Sequence, residues 1–164
     1  MLLNARQNGL DAIDSKIVRL LAENGRMSWA DLGAALKLSA PAAADRVRKL
    51  EERQLIRGYT ALFDPEQVGA EVVAFIAVRL ERPRHREAFV KRVLGLDWIL
   101  ECHHLAGEDD YLLKVRVANL RALEKLVGTG LKGVEGVAST RTTIALSTVK
   151  ETPTPPLGAL EGIP

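Results

Sequence analysis

Two stretches of this sequence hold side chains whose type and spacing could do chemistry. The first, LSAPAAADRVRKLE from Leu38 to Glu51, sets a run of small residues ahead of Arg46, Arg48 and Lys49. Guanidinium and ammonium groups pair with phosphate oxygens, and alanine can pack on thymine methyls in the major groove. A small-residue tip followed by a basic stem therefore suits a helix that approaches duplex DNA. The second, ECHHLAGEDDY from Glu101 to Tyr111, gathers Cys102, His103, His104, Asp109 and Asp110 around Gly107. On a strand, Cys102 and His104 project to one face and His103 to the other. Two ligands fall short of the three or four protein ligands of a metal site, and His85 lies on a separate expected helix. No metal site, cofactor or catalytic residue is expected. The chain lacks the local signature of a Cys-His or Ser-His-Asp nucleophile and the glycine pattern of a phosphate loop.

The elements that hold the first stretch are legible from helical periodicity. Ile13, Ile17, Leu20 and Leu21 form an apolar stripe, with Asp11 as N-cap and Asn24-Gly25 as the stop. Ser28 and Asp31 form a capping-box-like pair before Leu32, Ala35 and Leu36. Ser39 caps a third helix whose first turn tolerates Pro41, and Ala43, Val47 and Leu50 are its core stripe. Three short helices in this order fit a helix-turn-helix. Leu55 to Phe63 alternates as a strand pair turning at Arg57-Gly58, the position of a wing. With the core stripe inward, the outer face of the third helix carries Pro41, Ala44, Asp45, Arg48, Lys49 and Glu52; the expected DNA-contacting set is Ser39, Pro41, Ala42, Ala44, Asp45, Arg48, Lys49 and Arg57. Few of these side chains make bidentate base contacts, so a degenerate site read through DNA deformability is expected. Asp45 has two readings, a cytosine contact or an intramolecular ion pair. For Arg46, at the edge of the core stripe, an ion pair with a nearby carboxylate is expected. The bland alternative for all three helices is a packing unit with a solvated charged face.

Beyond Asp64-Pro65 the period changes. Glu71–Leu80, Trp98–Leu105, Tyr111–Val117 and Val137–Leu146 read as strands. Helices are expected over 84–94, with Phe89, Val90, Val93 and Leu94 inward, and after Asn119, with Leu120, Leu123, Leu126 and Val127 inward. The order β-α-β-β-α-β is that of a ferredoxin-like sandwich. The whole is an α+β chain: a winged helix-turn-helix at 1–63, a linker at 64–69, a ferredoxin-like domain at 70–150 and a Pro-rich tail at 151–164, read as poorly ordered. In the first strand Val72, Ala74, Ile76 and Val78 face one way and Val73, Phe75 and Ala77 the other. Two helices cover one face only, so the second face is expected to pack on the sheet of another copy.

Bulk properties agree with a soluble chain of ordinary composition, 47% apolar and 27% charged. Residues 1–63 hold ten Lys/Arg against seven Asp/Glu, while the remainder is slightly acidic; the positive end lies where phosphates would be met, although a mild imbalance also arises by chance. The single cysteine forms no internal disulfide, no apolar run reaches the ~18 residues of a membrane span, and a cytoplasmic location is expected.

The set Leu10-Asp11, Asp14, Ile17, Gly25-Arg26-Met-Ser28, Leu38-Ser39, Arg46-Val47-Arg48-Lys49-Leu50-Glu51 and Ile56-Arg57-Gly58-Tyr59-Thr-Ala61 resembles the DNA-binding domain of the Lrp/AsnC family. Glu101-Cys-His, Gly107-Glu-Asp-Asp110-Tyr111-Leu-Leu-Lys114 and Gly136-Val137, with Thr140-Arg-Thr142, resemble its ligand-sensing domain. The resemblance runs in order from about residue 10 to 150. It implies a sequence-specific transcription regulator that binds double-stranded DNA and is not an enzyme. It also implies a homodimer assembling to a tetramer or octamer, and an amino acid or related effector bound where neighbouring dimers meet. It carries the pocket to His104, Ala106, Gly107 and Asp110, and to Thr142, Thr143 and Ile144. A plain hairpin turn is the other reading of Gly107 and Asp110. Gln54 stands where the family usually has glycine, which implies strain or a shift at that helix end. His104 and Asp109 replace apolar or aromatic residues and imply an effector other than a leucine-like one. The rival readings are a metabolite-binding or assembly module without DNA binding and a siroheme-decarboxylase-like enzyme, whose wing histidine motif is absent from Leu55–Phe63.

Overall fold

The computed structural model describes residues 10–157; the expected start of the first domain, residues 1–9, and the end of the tail, 158–164, lie outside the described residues. The chain divides into two compact units, one holding the residues up to Leu62 together with the segment from Glu151 on, the other spanning Phe63–Lys150. Residues 151–157 form no helix or strand.

The first unit contains α1 (Ala12–Glu23), α2 (Trp29–Leu36) and α3 (Ala40–Glu52). Each begins on a side chain that accepts a hydrogen bond from an otherwise unpaired backbone N–H: Asp11 from Asp14, Ser28 from Asp31 and Ser39 from Ala42. Their stripes meet in one core around Ile17, Leu32, Leu36, Ala43, Val47 and Leu50. Gly33, in α2, lets the next turn come close: a Cβ there would sit 2.8 Å from the Leu38 carbonyl oxygen and 3.2 Å from the Ala40 nitrogen. The turn is closed by Leu38 N–H donating to Gly33 O at 2.8 Å, with Lys37 in the left-handed region at φ 58°. The expected wing strands do not form: residues 57–64 carry no strand pairing. Leu62 and Phe63, which a hairpin would need to bury, are 76% and 72% exposed, and an isolated two-stranded ribbon with no face to cover has little to hold it.

The second unit contains β1 (Val72–Leu80), a 3-10 turn at Pro83–His85, α4 (Arg86–Leu94), β2 (Ile99–His104), β3 (Tyr111–Val117), α5 (Leu120–Lys125), which widens into a π turn over Leu126–Leu131, and β4 (Val137–Ile144). All pairings are antiparallel and the order is β2-β3-β1-β4, the ferredoxin-like arrangement. The alternation expected of β1 is realised. Ala74, Ile76 and Val78 are fully buried with Phe89, Leu113, Val115, Leu126 and Leu131 on the helix side, each of these side chains larger than alanine contributing roughly 1.5–3 kcal/mol by leaving water. Leu94 and Leu120 depart from expectation at 81% and 61% exposed; they are the last residue of α4 and the first of α5, at helix ends beyond the part that covers the sheet.

Candidate functional site

The outer face of α3 forms as its periodicity requires. With Ala43, Val47 and Leu50 essentially inaccessible, Ser39, Pro41, Ala42, Arg48 and Lys49 are exposed, and Ala44 and Asp45 are half-buried. Arg57 is exposed in the segment after the helix. The helix ends in a Schellman arrangement: Leu55 N–H donates to Leu50 O at 3.0 Å and Gln54 N–H to Glu51 O at 2.8 Å. Gln54 takes the left-handed conformation, φ 57°, so the glycine-like backbone is kept by a residue that pays for it in strain. Tyr59 returns to this end, donating its hydroxyl to a Glu51 carboxylate oxygen at 3.0 Å. Burial, and then this bond, push its phenol up to about 12.

Charge on α3 is organised within the helix. Lys49 Nζ lies 2.8 Å from Asp45 Oδ2, Arg48 donates to Asp45 Oδ1, and Arg48 Nε lies 3.9 Å from Glu52. Lys49, above all, holds the Asp45 carboxyl below its ordinary range. Of the two readings of Asp45, the ion pair is the one formed in the free chain. Arg46 faces α1, donating to Asp11 at 2.6 Å and to Asp14 at 2.8 Å. The Asp14 N–H and Arg46 hold Asp11 below the usual carboxylate value. An open groove of ≈ 530 Å³ follows this seam, lined by Asp14, Asp45, Arg46 and Lys49 among others; its mixed charges mark it as the flank of α3 rather than an apolar ligand pocket.

The turn between β2 and β3 brings the second stretch to one end of the sheet. The β1–β3 ladder ends at the Val78–Tyr111 pair, and beyond it the Leu80 N–H donates instead to Asp110 Oδ2 at 2.7 Å. Asp110 N–H donates to Val78 O, and Leu105 N–H to Asp110 O. Asp110 is thus a structural brace with one carboxylate oxygen committed. Ala106 and Gly107 are exposed at the tip, and the His104 ring lies 5.1 Å from that of Tyr111, itself 4.8 Å from Phe89. Asp109 accepts from Arg141 of β4 at 2.6 Å, a bond that no spacing in the sequence announces.

The other expected pocket residues stand apart from this turn. Tyr111 pairs with Val78 and Val78 with Thr140, so Ile144 lies four residues further along β4, about 13 Å of strand. The register puts Thr142 and Ile144 on the helix-covered side and Thr143 on the open side. One chain does not close both sets around a single ligand. On the open side Glu101 accepts from Lys114 at 3.1 Å and contacts His103 at 3.1 Å; His103 first, then Lys114, hold its carboxyl below the ordinary value. Cys102 sits on the other face, opposite Leu113, and burial pushes its thiol up. Among the described residues no group of three His, Cys, Asp or Glu side chains gathers that could hold a metal ion, and no helix is long and apolar enough to cross a membrane.

Comparison with known proteins decides what this pairing of units is. The AsnC-type helix-turn-helix domain matches residues 10–51, and the Lrp/AsnC ligand binding domain matches residues 73–155. The chain belongs to the Lrp/AsnC family. It is 40% identical to the leucine-responsive regulatory protein of Haemophilus influenzae over 149 residues, 90% of each chain. It is 40% identical to that of Escherichia coli K12 over 144 residues, 87% of this chain and 88% of the relative. Among solved structures, a transcriptional regulator from Neisseria meningitidis in complex with L-methionine superposes with a TM-score of 0.87 at 34% identity, covering 92% of this chain and 99% of that one. A feast or famine regulatory protein from M. tuberculosis complexed with L-methionine gives 0.81 at 37%, covering 88% and 97%. Like other members of the Lrp/AsnC family, the protein is a DNA-binding transcription regulator with a small-molecule-sensing domain.

Proposed function

We propose that α3 enters the major groove of duplex DNA, with Ser39, Pro41, Ala42 and Ala44 at the bases and Arg48, Lys49 and Arg57 toward phosphates. The observation that carries this reading is the division of α3 itself: three inaccessible core residues on one side and an outward face whose tip is small and whose stem presents Arg48 and Lys49. In helix-turn-helix proteins the second helix of the motif occupies this place. The effector is an amino acid, as in the two relatives seen with L-methionine. It is bound between copies, His104, Ala106, Gly107 and the free oxygen of Asp110 coming from one sensing domain and Thr142, Thr143 and Ile144 from another. The separation of the two sets along β4 supports a site completed by a neighbour. The chain works as a cytoplasmic homo-oligomer built on sheet-to-sheet dimers, and as a regulator rather than an enzyme.

The test of the DNA-reading face is a salt series on bulk duplex DNA. Lys49→Ala lowers affinity nearly uniformly across sequences and flattens the dependence of log K on log salt by about one, as loss of one phosphate contact requires. An unchanged affinity and slope rule out that placement of α3.

A further inference from the structure

On the placement of α3 against DNA proposed above, we infer that Asp45 is a specificity-determining guard: it occupies the phosphate-seeking cations of the reading helix until a matching base edge releases it. Asp45 lies one turn toward the helix tip from both Arg48 and Lys49, and its two carboxylate oxygens are divided between them, Oδ1 to Arg48 and Oδ2 to Lys49. Glu52 stands beyond, 3.9 Å from Arg48. The charged groups on this part of the helix therefore cancel, although the stem looks basic in sequence. Arg46, next to Asp45 in sequence, is turned away into Asp11 and Asp14.

The consequence for recognition follows from what must be exchanged. A phosphate that takes Arg48 or Lys49 must displace Asp45, leaving a carboxylate beside the DNA backbone. On an arbitrary sequence that carboxylate faces base acceptors and the phosphate field with no donor to replace its lost partners. Where the groove presents a cytosine amino group within reach, the carboxylate accepts its hydrogen and the penalty is removed. Asp45 thus weakens attachment to unmatched DNA more than to matched DNA, raising the ratio on which a regulator depends. An alanine-rich tip has few other means of discrimination.

The experiment uses the full chain, a random-sequence duplex pool, and the duplexes the wild-type chain enriches from that pool, with binding followed by fluorescence anisotropy over a salt series. Asp45→Ala binds the random pool on the order of tenfold tighter, with a salt slope steeper by about one, while affinity for the enriched duplexes changes less, so discrimination falls. Asp45→Glu, which keeps the carboxylate at helical reach of both cations, retains wild-type behaviour. In an Arg48→Ala/Lys49→Ala background the substitution at Asp45 keeps only the small effect of removing one like charge near the phosphates. Unchanged or weaker binding of Asp45→Ala to the random pool overturns the guard, and so does tightening that persists undiminished without the two cations, which marks a diffuse charge effect. If Arg48→Ala/Lys49→Ala loses affinity while Asp45→Ala is silent, only the guard fails. If the double variant binds as wild type, the placement of α3 fails with it.

Discussion

Gln54 occupies a backbone conformation that costs an L-residue roughly 1–2 kcal/mol, at the end of the helix proposed to read DNA. The two hydrogen bonds of the Schellman closure hold it there. Gln54→Gly relieves the steric cost while adding chain entropy to the unfolded state, so the net gain is about 0.5–1 kcal/mol, measurable as a higher denaturation midpoint of the helical unit. Tyr59 supports the same helix end through Glu51 and gives it a pH dependence. Its phenol titrates near 10 unfolded and at about 12 folded, so the fold favours the neutral form. That contribution is fully present below pH 10 and is lost as pH rises through 12. A phenolate absorbance titration shows one tyrosine ionising near 12 in the folded chain, and Tyr59→Phe removes that step together with the corresponding alkaline loss of stability.

At the scale of elements, Gly33 tests whether the helix-turn-helix depends on close backbone approach. An alanine inside a helix ordinarily gains about 1 kcal/mol over glycine. Here the added methyl meets the Leu38 carbonyl at 2.8 Å and the Ala40 nitrogen at 3.2 Å, backbone atoms that move only if the turn into α3 moves. Overpacking of this kind costs about 1–3 kcal/mol, enough to reverse the sign. Gly33→Ala is therefore destabilising in equilibrium unfolding, and it weakens DNA binding by tilting α3. The same distinction explains what could be read in advance. The caps Asp11, Ser28, Ser39 and Asn119 and the stripes they introduce are local patterns, and each helix begins where its cap requires. The two apolar faces of β1 were likewise visible as alternation. The wing was not, because alternation in Leu55–Phe63 says nothing about whether a partner surface exists to bury it. The brace from Asp110 to Leu80 was also hidden: the N–H it takes lies on a strand 30 residues away, just past the end of the β1–β3 ladder. Arg141 gave no sign of reaching Asp109, 32 residues away, since it stands in an ordinary threonine-rich strand.

At the scale of the whole molecule, the proposed dimer rests on the sheet face not covered by helices. Val73 and Ala77 are only 7% exposed there, but Phe75 between them is 39% exposed. Around this apolar strip stand Lys114 and Glu101 from β3 and β2, and Arg141 from β4. In the proposed dimer a second sheet packed about 10 Å away would cover Phe75 and leave the charged side chains toward a polar rim, the usual anatomy of a dimer interface. Phe75→Glu puts a charge at the centre of that strip without touching the core on the other face. The expected result is a shift toward monomer in sedimentation with the melting of the sheet unit little changed. Affinity for DNA carrying two half-sites then falls, because the two reading helices no longer bind as one body. If sedimentation keeps the wild-type stoichiometry, the open face is not the dimer interface. The effector response follows the same logic. A thermal-shift screen of the twenty amino acids raises the melting temperature of the wild-type chain for the ligand it senses, and Phe75→Glu loses that shift if, as proposed, the β2–β3 turn and the Thr142–Ile144 segment of different copies enclose one ligand. A shift that survives in the monomer would locate the pocket within a single chain and separate ligand sensing from assembly.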